Sequence, residues 1–257
     1  MILGNIKEHK GSGLVAFLDI LGFSNEILNK WNDKLENPLD KLLELKDHLP
    51  VHSDDEMDKY EADKENKAKR LYPCRVQSIS DSIIVSFGFD DKPIYGDVIL
   101  GTISFFDTIS VIWRNAIEAG FTIRGAADWG DIFWNDKEII GPAFIQVYNA
   151  EIKIAKSSRV IINSSLNRNL KKVFSEGKTF WNDEILKIVS KDIDGFLTLN
   201  PHTLYERDNE EDKAHLMEKI KTLRDTASGM NKEKYTSLLA NLNSKQKKLD
   251  SSDLGNY

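Results

Sequence analysis

The sequence has a single cysteine, Cys74, among its 257 residues, only six prolines and no long apolar run. One cysteine excludes a framework of internal disulfides. The short, interrupted apolar segments predict neither a signal peptide nor a membrane span. The formal net charge of −6 argues against a grip on nucleic-acid phosphates, which requires a basic face. We therefore expect a cytoplasmic protein that binds neither nucleic acid nor membrane.

The chain does contain enough apolar residues, 40% of the total, to bury a sizeable core. Helical and strand-like patterns up to residue 162 follow the order β-α-α-β-β-α-β-β-α-β. This order predicts one α+β domain over residues 1–164, with a mostly antiparallel sheet and helices on one face. Residues 51–70 are densely charged and predict a solvated insertion. Residues 165–257 predict a helix-rich extension that packs on the core or on a dimer partner.

Three local patterns predict where elements end. A strand over residues 14–20 is followed by Gly22, and Ser24 is predicted to cap the next helix. A helix over residues 95–119 should end at Gly120. The segment "FTIRGAADWGDIFWND" predicts a hairpin with Gly130 near its tip.

Two acids stand where strands end. Asp19 lies within an apolar strand, where an unpaired carboxylate costs several kcal/mol, and Asp81 lies in the turn "SDS" between strands 75–80 and 82–88. Paired carboxylates suit a hard divalent cation such as Mg²⁺ or Mn²⁺. For either acid alone the structural alternative stays open: Asp19 caps a turn, and Asp81 belongs to an exposed hairpin.

The turn after Asp19 leads directly into a helix. Its backbone amides, from Leu21, Gly22, Phe23 and Ser24, would meet an anion at the positive end of the helix dipole. A divalent cation and these amides together predict a triphosphate site.

Three segments resemble motifs of the class III nucleotide cyclases. "FLDILGFS" resembles their "F-x-D-I-x-G-F-[ST]", "SISDSIIVSF" resembles "T-I-G-D-G-x-x-x-x-F", and "IRGAADWGDI" is similar to "[LR]-R-x-G-I-x-x-G-x-[VL]". The resemblance spans about residues 13–162. The variant "SDS" and the segment "GPAFIQVYNAEIKIAKSSRVIIN" make it strongest toward the Pycsar pyrimidine nucleotide cyclases of bacterial anti-phage defence.

The resemblance implies a ferredoxin-like cyclase fold and a homodimer with active sites between the subunits. It implies that Asp19, Asp81 and the carbonyl of Ile20 hold two Mn²⁺ or Mg²⁺ ions, and that residues 21–24 line the triphosphate. The implied reaction converts a nucleoside triphosphate to a 3′,5′-cyclic nucleotide and diphosphate. UTP is the first choice of substrate and CTP the alternative, and a separate effector would sense the cyclic product without contacting the enzyme.

The resemblance also leaves positions that do not match. The purine-selecting lysine of the family, four residues before the second aspartate, corresponds to Gln77, and Tyr72 precedes it as a candidate for stacking on the base. The family's transition-state asparagine and arginine fall, by a gapless count from Gly141, on Ile145 and Asn149, and neither carries positive charge.

Three arginines are candidates to supply the missing charge: Arg75, Arg124 and Arg159. Each is equally explained as a solubilising residue at a strand edge. A catalytically degenerate nucleotide-binding domain and a partner-binding scaffold therefore remain as alternatives to an enzyme.

Overall fold

The computed structural model describes residues 3–5, 8–34, 36–50, 72–89, 93, 95–176, 180–205, 209–227, 229–244, 249 and 253–254. The predicted insertion at 51–70 lies outside these residues. The strands are β1 (Leu3–Asn5), β2 (His9–Ile20), β3 (Tyr72–Ile79), β4 (Ser82–Gly88), β5 (Ile123–Trp134), β6 (Ile139–Ile140), β7 (Val160–Ile162), β8 (Val189–Lys191) and β9 (Leu197–Leu199). The helices are α1 (Phe23–Lys30), α2 (Pro38–Asp47), α3 (Tyr95–Glu118), α4 (Pro142–Lys153), α5 (Ser164–Glu176), α6 (Phe180–Ile188), α7 (Glu210–Thr226) and α8 (Met230–Asn243), with a 3₁₀ turn at Pro201–Leu204.

One sheet joins these strands in the order β1-β3-β4-β2-β5-β7-β9-β8, and β6 pairs with β5. The four central strands, β3, β4, β2 and β5, pair antiparallel throughout. Along the chain these strands and their helices follow the order β2-α1-α2-β3-β4-α3-β5. This is the split β-α-β arrangement of a ferredoxin-like fold. The predicted α+β class and mostly antiparallel sheet are confirmed.

Helix α3 is the longest and most apolar helix among the described residues. Its segment Gly96–Glu118 is long and apolar enough to cross a membrane, yet 67% of the most apolar window is buried within the protein. Phe105, Phe106 and Ile109 are fully buried in the core beside the sheet. The helix ends as predicted at Gly120, whose φ of 92° allows the N–H groups of Gly120 and Phe121 to reach the carbonyls of Ile117 and Ala116.

The sheet buries both of its faces, because β2 alternates between two apolar cores. Leu14, Ala16 and Leu18 face the larger core with α3, whereas Val15 belongs to a smaller core on the opposite face. That smaller core is covered by α4, so the prediction that helices occupy one face is wrong for this helix. Its buried Ala143, Val147 and Ala150 present a small-residue surface that packs closely on the strands.

The segment around Gly130 also differs from its prediction. It forms one continuous strand, β5, which pairs with β2 from Ile20↔Ile123 to His9↔Trp134. The chain reverses only after Trp134, where Asn135 accepts hydrogen bonds from the N–H groups of Lys137 and Glu138. Gly130 was a poor turn signal because a glycine is needed here for close packing against α4. An added Cβ would lie 3.3 Å from that of Ala143.

Residues beyond 164 continue the same structure. Strands β8 and β9 extend the sheet next to β7, and α7 and α8 bury Leu216, Ile220 and Leu238 in the larger core. The sequence left open whether this extension contacts the core or a partner subunit, and the structure packs it on the core. As a result, α8 lies beside the end of β2 that carries Asp19.

Candidate functional site

Asp19 and Asp81 lie together at one end of the central strands. The predicted turn is confirmed: Ile79 pairs with Ser82, so Ser80 and Asp81 form a two-residue hairpin connection. The N–H of Ile20 donates to the carbonyl of Asp81 at 3.0 Å. This bond fixes the hairpin tip directly beside Asp19.

Burial and the charge of Asp81 both act on the Asp19 carboxylate. The Asp19 side chain is 21% exposed, and its burial raises its pKa, an effect that Arg124 opposes and that the negative charge of Asp81 reinforces. Burial disfavours the charged form of a carboxylate, whereas a nearby positive charge favours it. The charge of Asp19 in the folded chain therefore depends on the positive groups that lie beside it.

Arg124 supplies part of that charge from strand β5. It pairs with Asp19 across the sheet, and its Nε donates to Asp19 Oδ2 at 3.1 Å. The same Nε lies 2.6 Å from Oε1 of Glu151 on helix α4. Arg124 thus stands between two acids, and sequence reasoning missed the second one because Glu151 reaches the site from a helix on the far side of a crossover.

A second cation comes from the extension. Burial lowers the pKa of Lys234, the nearby Arg124 lowers it further and Asp19 raises it. Its neighbour Tyr235 lines a cavity together with Leu21 and Gly22, which places the first turns of α8 at the predicted triphosphate turn. No sequence pattern indicated Lys234, which lies about 200 residues from Asp19 and is brought near it only by the packing of α8.

The turn itself differs from prediction at two residues. The N-cap of α1 is Gly22, with φ of 84°, and Ser24 lies inside the first turn, so Ser24 is not the cap. The N–H of Leu21 donates to Thr122 at 2.9 Å and is committed to the fold. The backbone N–H groups of Phe23 and Ser24 lie in the first turn of α1, where N–H groups have no partner within the helix.

Gln77 shares a face of the sheet with Asp19. Register aligns Gln77 with Ile84 and Ile84 with Phe17, and Phe17 lies two residues before Asp19 on the same side of β2. Arg75 donates through its Nε to the Gln77 side-chain oxygen at 3.3 Å. This contact directs the Gln77 side-chain oxygen toward Arg75.

Aromatic side chains of β2 and α4 meet on the face of the sheet that also carries Gln77. Phe17 meets Tyr148 edge to face with ring centroids 5.4 Å apart, and it meets Phe144 at 6.2 Å. Tyr148 is 47% exposed and lies one helical turn before Glu151. These rings form an apolar wall beside the two acids that sequence reasoning did not assign.

Two predicted residues, Asn149 and Arg159, make their contacts elsewhere, and the Tyr72 prediction stays a prediction. Asn149 is two positions from Glu151 on α4, which places it on another side of the helix, and its amide donates to Ile145 at 3.0 Å. Arg159 pairs with Asp192 at 2.8 Å and Asp194 at 2.6 Å, so it anchors the β8–β9 turn and is not part of the site. Tyr72 begins β3, but its side chain lies outside the described part of the chain.

The donor set fits the cation that the resemblance implies. Asp19, Asp81 and the Ile20 carbonyl would offer hard oxygen ligands, and the negative charge of Asp81 lies close enough to act on Asp19. No group of three or more His, Cys, Asp or Glu side chains able to hold a metal occurs among the described residues. Two carboxylates completed by substrate phosphates are a usual Mg²⁺ arrangement.

No family model and no curated protein matches this sequence. Solved structures similar to the chain include the guanylyl cyclase Cya2, at 12% identity and a TM-score of 0.38 over 63% of this chain and 80% of that one. The adenylyl cyclase CyaB from P. aeruginosa is similar at 18% identity and a TM-score of 0.39, over 65% of this chain and 84% of that one. A class III adenylyl cyclase-like ATP-binding protein from Pseudomonas aeruginosa is similar at 14% identity and a TM-score of 0.41, over 63% of this chain and 35% of that one. Similarity at this level concerns chain path and says nothing about substrate.

Proposed function

We propose that this chain is a metal-dependent pyrimidine nucleotide cyclase, which converts UTP to 3′,5′-cyclic UMP and diphosphate. The observation that carries the proposal is the meeting of Asp19 and Asp81 with the Arg124 guanidinium and the first-turn amides of α1. Acids that attract cations, next to fixed cations and amides that attract phosphate, suit a metal–triphosphate complex.

Each group has a distinct role in this proposal. Asp19, Asp81 and the Ile20 carbonyl would hold two Mn²⁺ or Mg²⁺ ions, which would supply activation of the ribose 3′-hydroxyl and neutralisation of phosphate charge. The amides of Phe23 and Ser24 bind phosphate oxygens. Arg124, with Lys234 nearby, provides the positive charge that Ile145 and Asn149 lack, stabilising the transition state as diphosphate leaves.

Gln77 reads the base in this proposal. Because Arg75 occupies its side-chain oxygen, Gln77 presents a hydrogen-bond donor, which suits a carbonyl acceptor such as O4 of uracil. Cytosine carries an amino donor at that position, so this orientation supports UTP ahead of CTP. Phe17 and Tyr148 would provide the apolar surface beside the ring.

A second copy of the chain is the proposed partner. Ile79, Ile145, Tyr148 and Ile152 are each about half exposed, at 47–56%, and they come from β3 and α4, which flank the site. Exposed apolar side chains grouped around a polar site are typical of an interface. A homodimer through this surface would enclose the substrate between subunits.

The proposed product is a second messenger in the cytoplasm. In this role, supported by the resemblance to Pycsar cyclases, infection by a phage leads to cyclic UMP, which activates a separate effector. The effector responds to the nucleotide and needs no contact with the enzyme.

The direct test is incubation of the purified chain with each of ATP, GTP, CTP and UTP, with Mn²⁺ or with EDTA. Mass spectrometry should detect cyclic UMP and diphosphate from UTP only when metal is present. Cyclic CMP as the main product would change the assigned base. Triphosphate binding without any cyclic product would favour the degenerate nucleotide-binding alternative.

We predict that Gln77→Ala lowers kcat/KM for UTP by about 10- to 100-fold, the usual cost of leaving a base edge without its hydrogen-bond partner. Inhibition by free triphosphate should change little, because the phosphates are held elsewhere. Steady-state kinetics with all four nucleotides provides the measurement. Gln146→Ala, an exposed change on α4, is the control, and an unaltered base preference in Gln77→Ala would show that Gln77 does not read the base.

A further inference from the structure

Glu151 is a buried acid at the site with no role in the function proposed so far. Its side chain is 4% exposed, and Arg124 is the cation beside it, at 2.6 Å. Within the described residues no other cation lies at ion-pair distance from Glu151. Burying a carboxylate costs several kcal/mol unless it is paired. The charged form of Glu151 therefore depends on Arg124.

Arg124 contacts both Glu151 and Asp19. The Nε of Arg124 donates a hydrogen bond to Asp19 at 3.1 Å. The same Nε lies 2.6 Å from Oε1 of Glu151, an ion-pair contact in which this buried oxygen makes no hydrogen bond. Asp19 is also the proposed metal ligand. A cation that binds Asp19 must therefore compete with Arg124, and the strength of that competition depends on how firmly Glu151 holds Arg124 on the other side.

We propose that Glu151 is a positioning residue that draws Arg124 away from Asp19, leaving Asp19 available to the metal and Arg124 directed at the triphosphate. This inference rests on the proposed function and adds a residue to its site. Glu151 is suited to the task because it projects from α4, which packs on the sheet through Ala143, Val147 and Ala150. Because this packing fixes the position of α4, the Glu151 carboxylate can hold the Arg124 guanidinium in one place.

Glu151 should affect Mn²⁺ affinity through Arg124. If Glu151 is replaced by glutamine, Arg124 has only Asp19 to pair with, so Mn²⁺ binding should weaken about tenfold, as expected for loss of a partner behind a metal ligand. If Arg124 is replaced by glutamine, the competitor is gone and Mn²⁺ binding should strengthen. In the double variant, Glu151→Gln should have little further effect.

The experiment is a Mn²⁺ titration followed by electron paramagnetic resonance, without nucleotide, on the full chain and these three variants. Glu151→Asp is added because it keeps the charge but shortens the side chain, so it separates contact from simple attraction. We expect Glu151→Asp to resemble Glu151→Gln. Equal effects of Glu151→Gln with and without Arg124, or wild-type affinity in Glu151→Asp, would overturn the inference.

Two further readouts separate this inference from the function on which it rests. Asp19→Ala must abolish Mn²⁺ binding, so that the signal of free Mn²⁺ is no longer reduced by the protein; if binding persists, the metal site is misassigned and both proposals fail. In turnover, Glu151→Gln should raise the Mn²⁺ concentration required, with kcat partly restored at saturating metal. A structural defect would instead lower the melting temperature and would not be corrected by added Mn²⁺.

Discussion

Asp19→Ala and Asp81→Ala are each expected to reduce cyclic nucleotide formation more than about 100-fold. Loss of a partner behind a metal ligand alone costs 10- to 100-fold, and these residues are the proposed ligands themselves. Asp81 reaches Asp19 only through the hairpin whose carbonyl accepts from the Ile20 N–H at 3.0 Å. Either change removes half of the carboxylate pair, and turnover measured across a Mn²⁺ series provides the test.

The fold should tolerate loss of the Asp19 carboxylate. Burial raises the pKa of Asp19, so the folded chain disfavours its ionised form. Asp19→Asn should therefore leave the melting temperature in EDTA unchanged or higher at neutral pH, and any gain should disappear as pH falls and wild-type Asp19 becomes protonated. Asp131→Ala, an exposed change on β5, is the control, and an active Asp81→Ala enzyme would contradict the two-metal proposal.

Arg124→Gln is expected to lower kcat by about 100- to 1,000-fold, the usual cost of one missing donor to a transition-state oxyanion. Its effect on Mn²⁺ affinity should have the opposite sign, because Arg124 competes with the metal for Asp19. Tighter metal binding combined with slower turnover is a result that a simple folding defect does not produce. Single-turnover kinetics at saturating Mn²⁺ and UTP measures the chemical step.

Arg159→Gln is the matched control for Arg124. Both arginines were candidates for the missing charge, but Arg159 pairs with Asp192 and Asp194 in the turn between β8 and β9. Its side chain is 11% exposed, so its removal should lower the melting temperature and leave kcat per folded molecule nearly unchanged. Equal losses of kcat in the two variants would contradict the assignment of Arg124.

Much of the fold was accessible from local sequence patterns. The strand before Gly22, the turn at Asp81 and the end of α3 at Gly120 depend on conformational preferences of a few adjacent residues, which are the same in any tertiary context. The order of these elements was sufficient to predict an α+β domain with an antiparallel sheet. Gly130 failed as a turn signal because close packing against α4, a long-range contact, also selects glycine.

By itself, the sequence determined that Asp19 and Asp81 stand at strand ends, since an acid in an apolar strand and an acid in a turn are local features. Only the tertiary structure decided which charges surround them. Sequence reasoning offered three arginines on equal terms, and sheet register selected Arg124. Helix packing brought in Glu151 and Lys234, which no motif marked. The physical reason is that electrostatic interactions depend on distance in space, and contacts between residues far apart in sequence leave no periodic pattern in the chain.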